Sequence, residues 1–337
     1  MADTLKALPP GAQKLLDEGR FCPIPFVQLQ LNAMGKISAC CFSEEHNVGN
    51  VADNSIEEIW NGSEMQKWRQ EFLDGDPKIC EKAIANFGCQ KFYQHLNHLV
   101  VPATVQSAPP RRLDLRLNGR CNLECVMCTV WQEPNGLYDA TDLWTKGPEW
   151  IFPHLKEVDM LGGEPFIQKD TFRFIEEVRK VNTECTWGFI TNCHYKLTSH
   201  IEELLLSIPL RHIHMSLDAT TAETYANVRL KGRWDLVMET ANAFVRLRVE
   251  KGMRGNPIAL FASFCVQRGN WHELPDFITW CERRNIQPII QDVVNRADLN
   301  IRDMSPDERK DIHAFFVRKL SEKWRREIAW LVDPLAS

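Results

Sequence analysis

No stretch of the 337 residues is apolar for the length of a membrane span, and Met1 to Gly11 has one lysine and no apolar core of signal-peptide length. A soluble, cytoplasmic protein with no membrane partner is expected. Lys and Arg are not gathered into runs and the formal net charge is -5, so the basic footprint that neutralises nucleic-acid phosphates is missing. Nucleic acid is excluded as a partner on that ground. Internal repeats and low-complexity segments are also absent. In a reducing cytosol the twelve cysteines read as metal ligands or reactive thiols, not as disulfides.

What is present is a 44% hydrophobic chain, long enough for a large core and two or three domains. The stretch 101–110, VPATVQSAPP, is small, polar and proline-rich and reads as a linker between two regions of different character. Before it, Phe26 to Leu31 reads as a strand ending at the Asn32 to Gly35 turn. Ser55 followed by Glu58 is a capping box opening a helix with Ile56, Ile59, Trp60, Met65 and Trp68 as its apolar stripe.

After the linker, strand candidates 112–117, 157–161, 186–191, 211–217, 258–267 and 286–293 alternate with helix candidates 171–181, 201–208, 234–249, 274–284 and 306–320. Such alternation implies α/β architecture with parallel strands and right-handed crossovers. Several strands carry polar residues on one parity: Asp114 and Arg116 in one, His212, His214, Ser216 and Asp218 in another. One face then packs on helices, and the other is expected to face a lumen large enough for a ligand.

Directly after the first of these strands comes Cys121-Asn-Leu-Glu-Cys125-Val-Met-Cys128. Three thiolates on a tight loop grip three corners of an iron–sulfur cube and leave one iron open. A zinc site would ask for a fourth Cys or His at matching spacing, and the nearest downstream histidine is His154.

That spacing, its place after a strand, and Gly162-Gly163-Glu164-Pro165 after the next strand resemble the radical SAM superfamily over roughly residues 111 to 300. The resemblance implies a partial (β/α)6 barrel and a 4Fe-4S cluster on Cys121, Cys125 and Cys128. The open iron would chelate the amino and carboxylate groups of S-adenosyl-L-methionine (AdoMet), with Gly162, Gly163 and Glu164 at the amino group. Ser216 and Arg229 resemble contacts to the AdoMet carboxylate and ribose, and Asn192 holds the end of the third strand. Met127 stands where the family usually has an aromatic residue, and a polarizable thioether still suits packing on adenine. The implied chemistry is one-electron cleavage of AdoMet to methionine and a 5′-deoxyadenosyl radical, which takes hydrogen from an unactivated carbon. An electron donor such as flavodoxin or ferredoxin is implied as a partner.

In the first hundred residues, Cys22, Gly35, Cys40-Cys41, Gly49-Asn50 and the helix opened by Ser55 look like a SPASM or twitch auxiliary-cluster domain. In the family this domain usually follows the barrel, and its final cysteine pair is often closer than Cys80 and Cys89 are here. The resemblance implies an auxiliary 4Fe-4S cluster on Cys22, Cys40, Cys80 and Cys89, with Cys41 as the alternative to Cys40. A four-cysteine zinc site and buried free thiols are the other readings. The expected organisation is an auxiliary domain at 1–100, linker 101–110, barrel 111–300 and a C-terminal helical extension 301–337.

Of the remaining cysteines, Cys281 falls on an apolar helix face and reads as core. A period of two puts Ser263, Cys265 and Gln267 on one strand face, opposite Leu260, Phe264 and Val266. Cys265 is thereby a candidate catalytic hydrogen donor in the lumen, although a buried structural thiol is the plainer reading of both Cys265 and Cys193. The expected activity is radical modification of a peptide or protein side chain, because auxiliary-cluster enzymes of the resembled family often act on ribosomal peptides. Epimerisation, dehydrogenation and crosslinking all stay open. A small molecule such as a sugar or nucleotide derivative is the second substrate class, and a non-catalytic iron–sulfur or zinc protein is the rival of another kind.

Overall fold

The computed structural model describes residues 7–40, 46–80, 89–293 and 296–336. Cys41, the alternative auxiliary ligand, lies outside them. By packing, the chain falls into two compact units: the described residues up to Arg120 with Glu133–Trp187, and Cys121–Gln132 with the described residues from Gly188 on. The fold is α/β, with the strand and helix alternation of a partial (β/α)6 barrel.

In the first unit the strands are β1 (Gln28–Leu31), β2 (Lys36–Ser38), β3 (Asn47–Asn50), β4 (Arg112–Leu115) and β6 (Glu157–Met160), in the order β6-β4-β1-β2-β3. The Asn32 side chain makes the β1–β2 turn by accepting from the backbone N–H groups of Met34 and Lys36, and Gly35 takes φ 75°. Ser55 and Glu58 form the expected capping box on the helix Ile56–Trp60. The strand before the 101–110 stretch is not confined to its own region: β1 pairs in parallel with β4, Gln28 opposite Arg112.

Residues 101–110 are themselves held down. The Trp60 indole donates to Ala108 O, Asn61 exchanges hydrogen bonds with the Gln106 backbone, and the Arg69 guanidinium donates to Thr104 O.

The polar face of β1, β4 and β6 departs from the open lumen expected for it. Gln28, Gln30, Arg112, Asp114, Glu157 and Asp159 are all buried. Arg112 bonds Gln28 and Asp159, its Nε lies 3.4 Å from Glu157, and His95 Nε2 lies 2.9 Å from the same carboxylate. Tyr93 lies 5.4 Å from the Arg112 guanidinium. Arg112 thus gathers two buried carboxylates, Glu157 and Asp159, beside its guanidinium, the opposite charge that buried charges call for.

The second unit carries β7 (Thr186–Thr191), whose first two residues belong to the first unit, with β8 (Leu210–Ser216), β10 (Ala259–Val266) and β11 (Gln287–Asp292). β8, β10 and β11 run parallel, with His214 beside Phe261 beside Gln287, and Ser216 beside Ser263 beside Ile289. The other parity packs outward: Phe264 meets Phe277 of the helix Leu274–Glu282 at 4.9 Å. Cys281 is buried in that helix. The C-terminal extension is helical at Pro306–Lys319, Glu322–Glu327 and Ala329–Val332. Among the described residues no helix is long and apolar enough to cross a membrane.

Candidate active site

The three-cysteine loop is built by short pairing. β5 (Glu124–Cys125) lies antiparallel to β9 (Arg229–Leu230), with Cys125 opposite Arg229. The Val126 N–H donates to Val228 O at 3.0 Å, Arg296 Nη1 to Val126 O at 2.6 Å, and the Trp131 indole to Cys128 O at 2.8 Å. Cys121, Cys125 and Cys128 are all half-buried.

Two donors reach their sulfurs from other elements. Asn192, at the end of β7, donates to Cys121 Sγ at 3.5 Å and to Asn122 Oδ1 at 2.9 Å. Arg229 Nη1 donates to Cys125 Sγ at 3.6 Å. Burial pushes the Cys125 thiol up to about 11 and Arg229 opposes it, while Asp218, Cys128 and Cys121 add to the rise. Three neighbouring thiols with cationic and amide donors on their sulfurs fit an iron–sulfur centre, whose potential such hydrogen bonds help to set.

Asp218, which the sequence reading placed on a polar face without a role, is the hub of this arrangement. It sits past the end of β8 with φ 62°, a left-handed conformation that Asp tolerates better than most residues. One carboxylate oxygen accepts from Arg229 Nε and Nη2 at 2.9 and 2.6 Å, and the other accepts from the Cys265 N–H at 2.7 Å. Buried Asn270 donates to Asp218 O and Cys265 O. The Arg229 guanidinium is thus engaged with Asp218 and Cys125. Asn270 was not singled out in the sequence, and the only signal for it is its Gly269-Asn270 turn.

Cys265 lies on the β10 face with Phe261 and Ser263, within electrostatic reach of Asp218, Arg229 and Cys125. Burial first, then Asp218, hold its thiol well above the ordinary range. Ser216 occupies the same face of β8, and Met127 is half-buried within the cysteine loop. Cys193 is buried with φ 60°, its N–H on Thr191 Oγ1.

In the first unit, Gly162 has φ 130° and a Cβ there would meet Asn118 O at 3.0 Å, while a Cβ at Gly163 would collide with Arg120 O. Only glycine lets this turn lie against the strand exit that runs on into Cys121. Glu164 is fully buried, with Oε1 accepting from the Phe166 N–H.

Cys22, Cys40, Cys80 and Cys89 are all buried in that unit as well. Burial above all, with added repulsion from Cys40, Cys80 and Cys89, pushes the Cys22 thiol far up, and Cys80 is pushed to about 12 by burial and by Cys89. Among the described residues no three His, Cys, Asp or Glu converge on a single ion. The four thiols are neighbours within Coulombic reach, not a closed coordination shell. Thiols so placed suit a metal centre, which takes up the charge of the thiolates.

Residues 115–260 match the radical SAM superfamily, and residues 22–83 match the SPASM iron–sulfur cluster-binding domain. The chain carries a radical SAM domain. More particularly, it carries its SPASM domain ahead of the radical SAM domain, and its cofactors are 4Fe-4S clusters and AdoMet. A GTP 3′,8-cyclase of Aliarcobacter butzleri is 24% identical over 170 residues, 47% of this chain and 52% of that protein. Another, from Petrotoga mobilis, is 25% identical over 175 residues, 49% of this chain and 50% of that protein. The chain thus spans about half the length of these curated relatives. Streptococcus suis SuiB bound to precursor peptide SuiA aligns with TM-score 0.46 and 12% identity over 90% of this chain and 70% of its own, a likeness too slight to bear on function.

Proposed function

We propose that this radical SAM enzyme cleaves AdoMet reductively at a cluster held by Cys121, Cys125 and Cys128 and abstracts hydrogen from an unactivated carbon of a peptide or protein side chain. The observation that carries the cluster assignment is the pair of donors, Arg229 and Asn192, on the sulfurs of that loop. The bound centre supplies one electron to the sulfonium of AdoMet. Gly162, Gly163 and Glu164 receive the amino group, where a carboxylate suits an ammonium. Ser216 and Met127 serve the rest of the cofactor. Arg229 and Asn192 hold the cluster thiolates. Cys22, Cys40, Cys80 and Cys89 carry the auxiliary cluster, and Cys265 is the candidate hydrogen donor to a substrate radical.

The side-chain substrate is supported by the inner face of β8, β10 and β11. Its residues are His212, His214, Ser216, Phe261, Ser263, Cys265, Gln287, Ile289 and Gln291, without a Lys or Arg. Recognition of phosphate leans on Arg, Lys and backbone N–H groups. A nucleotide substrate is the second reading, favoured by the relatives named GTP 3′,8-cyclase.

Anaerobically reconstituted protein with a strong reductant is expected to form 5′-deoxyadenosine, and Cys121→Ala, Cys125→Ala or Cys128→Ala to abolish it. A wild-type rate in any of the three overturns the cluster assignment. Deuterium entering 5′-deoxyadenosine from a deuterated, protease-sensitive peptide fraction of a cell extract supports the substrate class. Deuterium entering it from deuterated GTP overturns that class and leaves the cluster assignment standing.

A further inference from the structure

Cys125 and Cys128 are the ends of a tight turn, closed by the Cys128 N–H on Cys125 O at 3.1 Å, with Val126 and Met127 at its centre. A turn of this kind bonds its ends and leaves its central peptide, here the Val126 C=O with the Met127 N–H, without a hydrogen bond inside the turn. The tilt of that peptide plane is therefore set from outside. Among the described residues Arg296 sets it, with Nη1 donating to Val126 O at 2.6 Å.

Arg296 is itself fixed. Its Nε and Nη2 fork the Asp298 carboxylate at 2.8 and 2.7 Å, which leaves Nη1 for the carbonyl. Its backbone oxygen accepts from the N–H groups of Leu299 and Asn300 at 3.0 and 3.1 Å, and the Arg268 N–H donates to Leu299 O at 2.9 Å. The turn that carries Arg296 is thus tied to the exit of β10, beside the Asn270 that holds Asp218 and Cys265. Arg296 lies past residues 115–260, the stretch matched to the radical SAM superfamily.

The cysteines have anchors of their own. Cys125 pairs with Arg229 across β5 and β9, Cys128 O accepts from the Trp131 indole, and Cys121 Sγ accepts from Asn192. What falls to Arg296 is the central peptide, and because a peptide is planar its tilt carries the N–H and Cα of Met127 with it. We propose that Arg296, pinned by Asp298, is a positioning residue for AdoMet: it clamps the Val126–Met127 peptide and so fixes Met127 against the adenine. The inference rests on the reading of this loop as the cluster and AdoMet site, with Met127 at the adenine. Geometry matters here more than charge. A lysine ammonium is a point donor and cannot fork the carboxylate while holding the carbonyl in the same plane.

The test uses the full chain with Arg296→Gln, Arg296→Lys and Asp298→Asn. Hydrogen exchange of the segment 123–132 is read in cluster-free protein. Iron content and the AdoMet Kd, by calorimetry, are read in oxidised, anaerobically reconstituted protein, where AdoMet is not turned over. In Arg296→Gln the segment is expected to exchange faster and iron content to hold. The Kd is expected to rise about three- to ten-fold, the loss of a charge-assisted hydrogen bond discounted for a donor side chain that is 39% exposed. Arg296→Lys is expected to match Arg296→Gln, and Asp298→Asn to move the Kd the same way by less.

Unchanged exchange in Arg296→Gln overturns the proposal, and so does faster exchange with a wild-type Kd. Wild-type affinity in Arg296→Lys also overturns it, leaving charge alone as the cause. Iron lost from Arg296→Gln would assign the clamp to the cluster and not to AdoMet. Unsubstituted protein that holds iron and binds no AdoMet overturns the reading of the loop and this inference with it, a failure told apart from the others because it needs no substitution to appear.

Discussion

Single side chains decide more here than their sequence context discloses. Arg69 sits on a helix beside an apolar stripe and would pass for a surface charge, yet it is 0% exposed. Its guanidinium donates to Pro25 O, Trp60 O and Thr104 O at 2.9, 2.7 and 2.7 Å and lies 4.3 Å from the Trp60 ring. Three carbonyls from separate segments depend on one residue. Arg69→Met keeps the stem and strands all three acceptors, so a loss of about 2–4 kcal/mol is expected in denaturant unfolding. An unchanged midpoint of unfolding would mean that those carbonyls find water. Asp218 was harder still to read, because a strand-end aspartate advertises polarity but not which donors will turn toward it. Cys121, Cys125 and Cys128 stood out by their spacing, and Asn192 only by its resemblance to a family position at the end of the third strand.

At the level of elements the correspondence is close for the barrel. The strands expected at 186–191 and 258–267 are observed at Thr186–Thr191 and Ala259–Val266, and the helix begun at Trp234 runs on to Met253. Periodicity carries this much because each strand of the second unit has one apolar face and a distinct other face. It could not show that β1 joins β4, since pairing across about eighty residues leaves no mark on local pattern. Nor could it show that Arg112 gathers Gln28, Glu157 and Asp159 around it on the polar face of β1, β4 and β6, because alternation reports polarity and not partners.

One connection between elements depends on pH. Glu273 accepts from the backbone and side chains of Thr220 and Thr221, at the entry to the helix Ala222–Val228. Burial alone would raise its carboxyl pKa, but hydrogen bonds from Thr221, Thr224 and Thr220 outweigh burial and hold it below the ordinary range. Its contribution is full above pH 4.5, the ordinary glutamate value, and is lost as pH falls through the lower folded value. Glu273→Gln is expected to be less stable at neutral pH, with the gap to wild type closing in acid. A constant gap across an acid titration of Tm would refute this.

For the whole molecule the expectation is metal content. Two cubes correspond to about eight irons per chain, and replacing Cys121, Cys125 and Cys128 together should leave about half. Iron quantified against protein, with zinc measured in parallel, decides the matter. A triple variant holding no iron, or holding zinc, would strike out the auxiliary cluster while sparing the first.

The units interleave along the chain: Cys121–Gln132 packs with residues from Gly188 onward, while Glu133–Trp187 packs with the earlier ones. During synthesis, the cysteine loop leaves the ribosome well before the residues that hold it. Arg229 follows Cys121 by about a hundred residues, an interval on the order of 5–20 s at ordinary elongation rates. For that time the three thiols are solvated, without Asn192 or Arg229 on their sulfurs, and open to any oxidant. Slowing elongation between codons 129 and 229 should therefore lengthen the hazard and lower the yield of protein able to load iron, whereas slowing it after codon 300 should not.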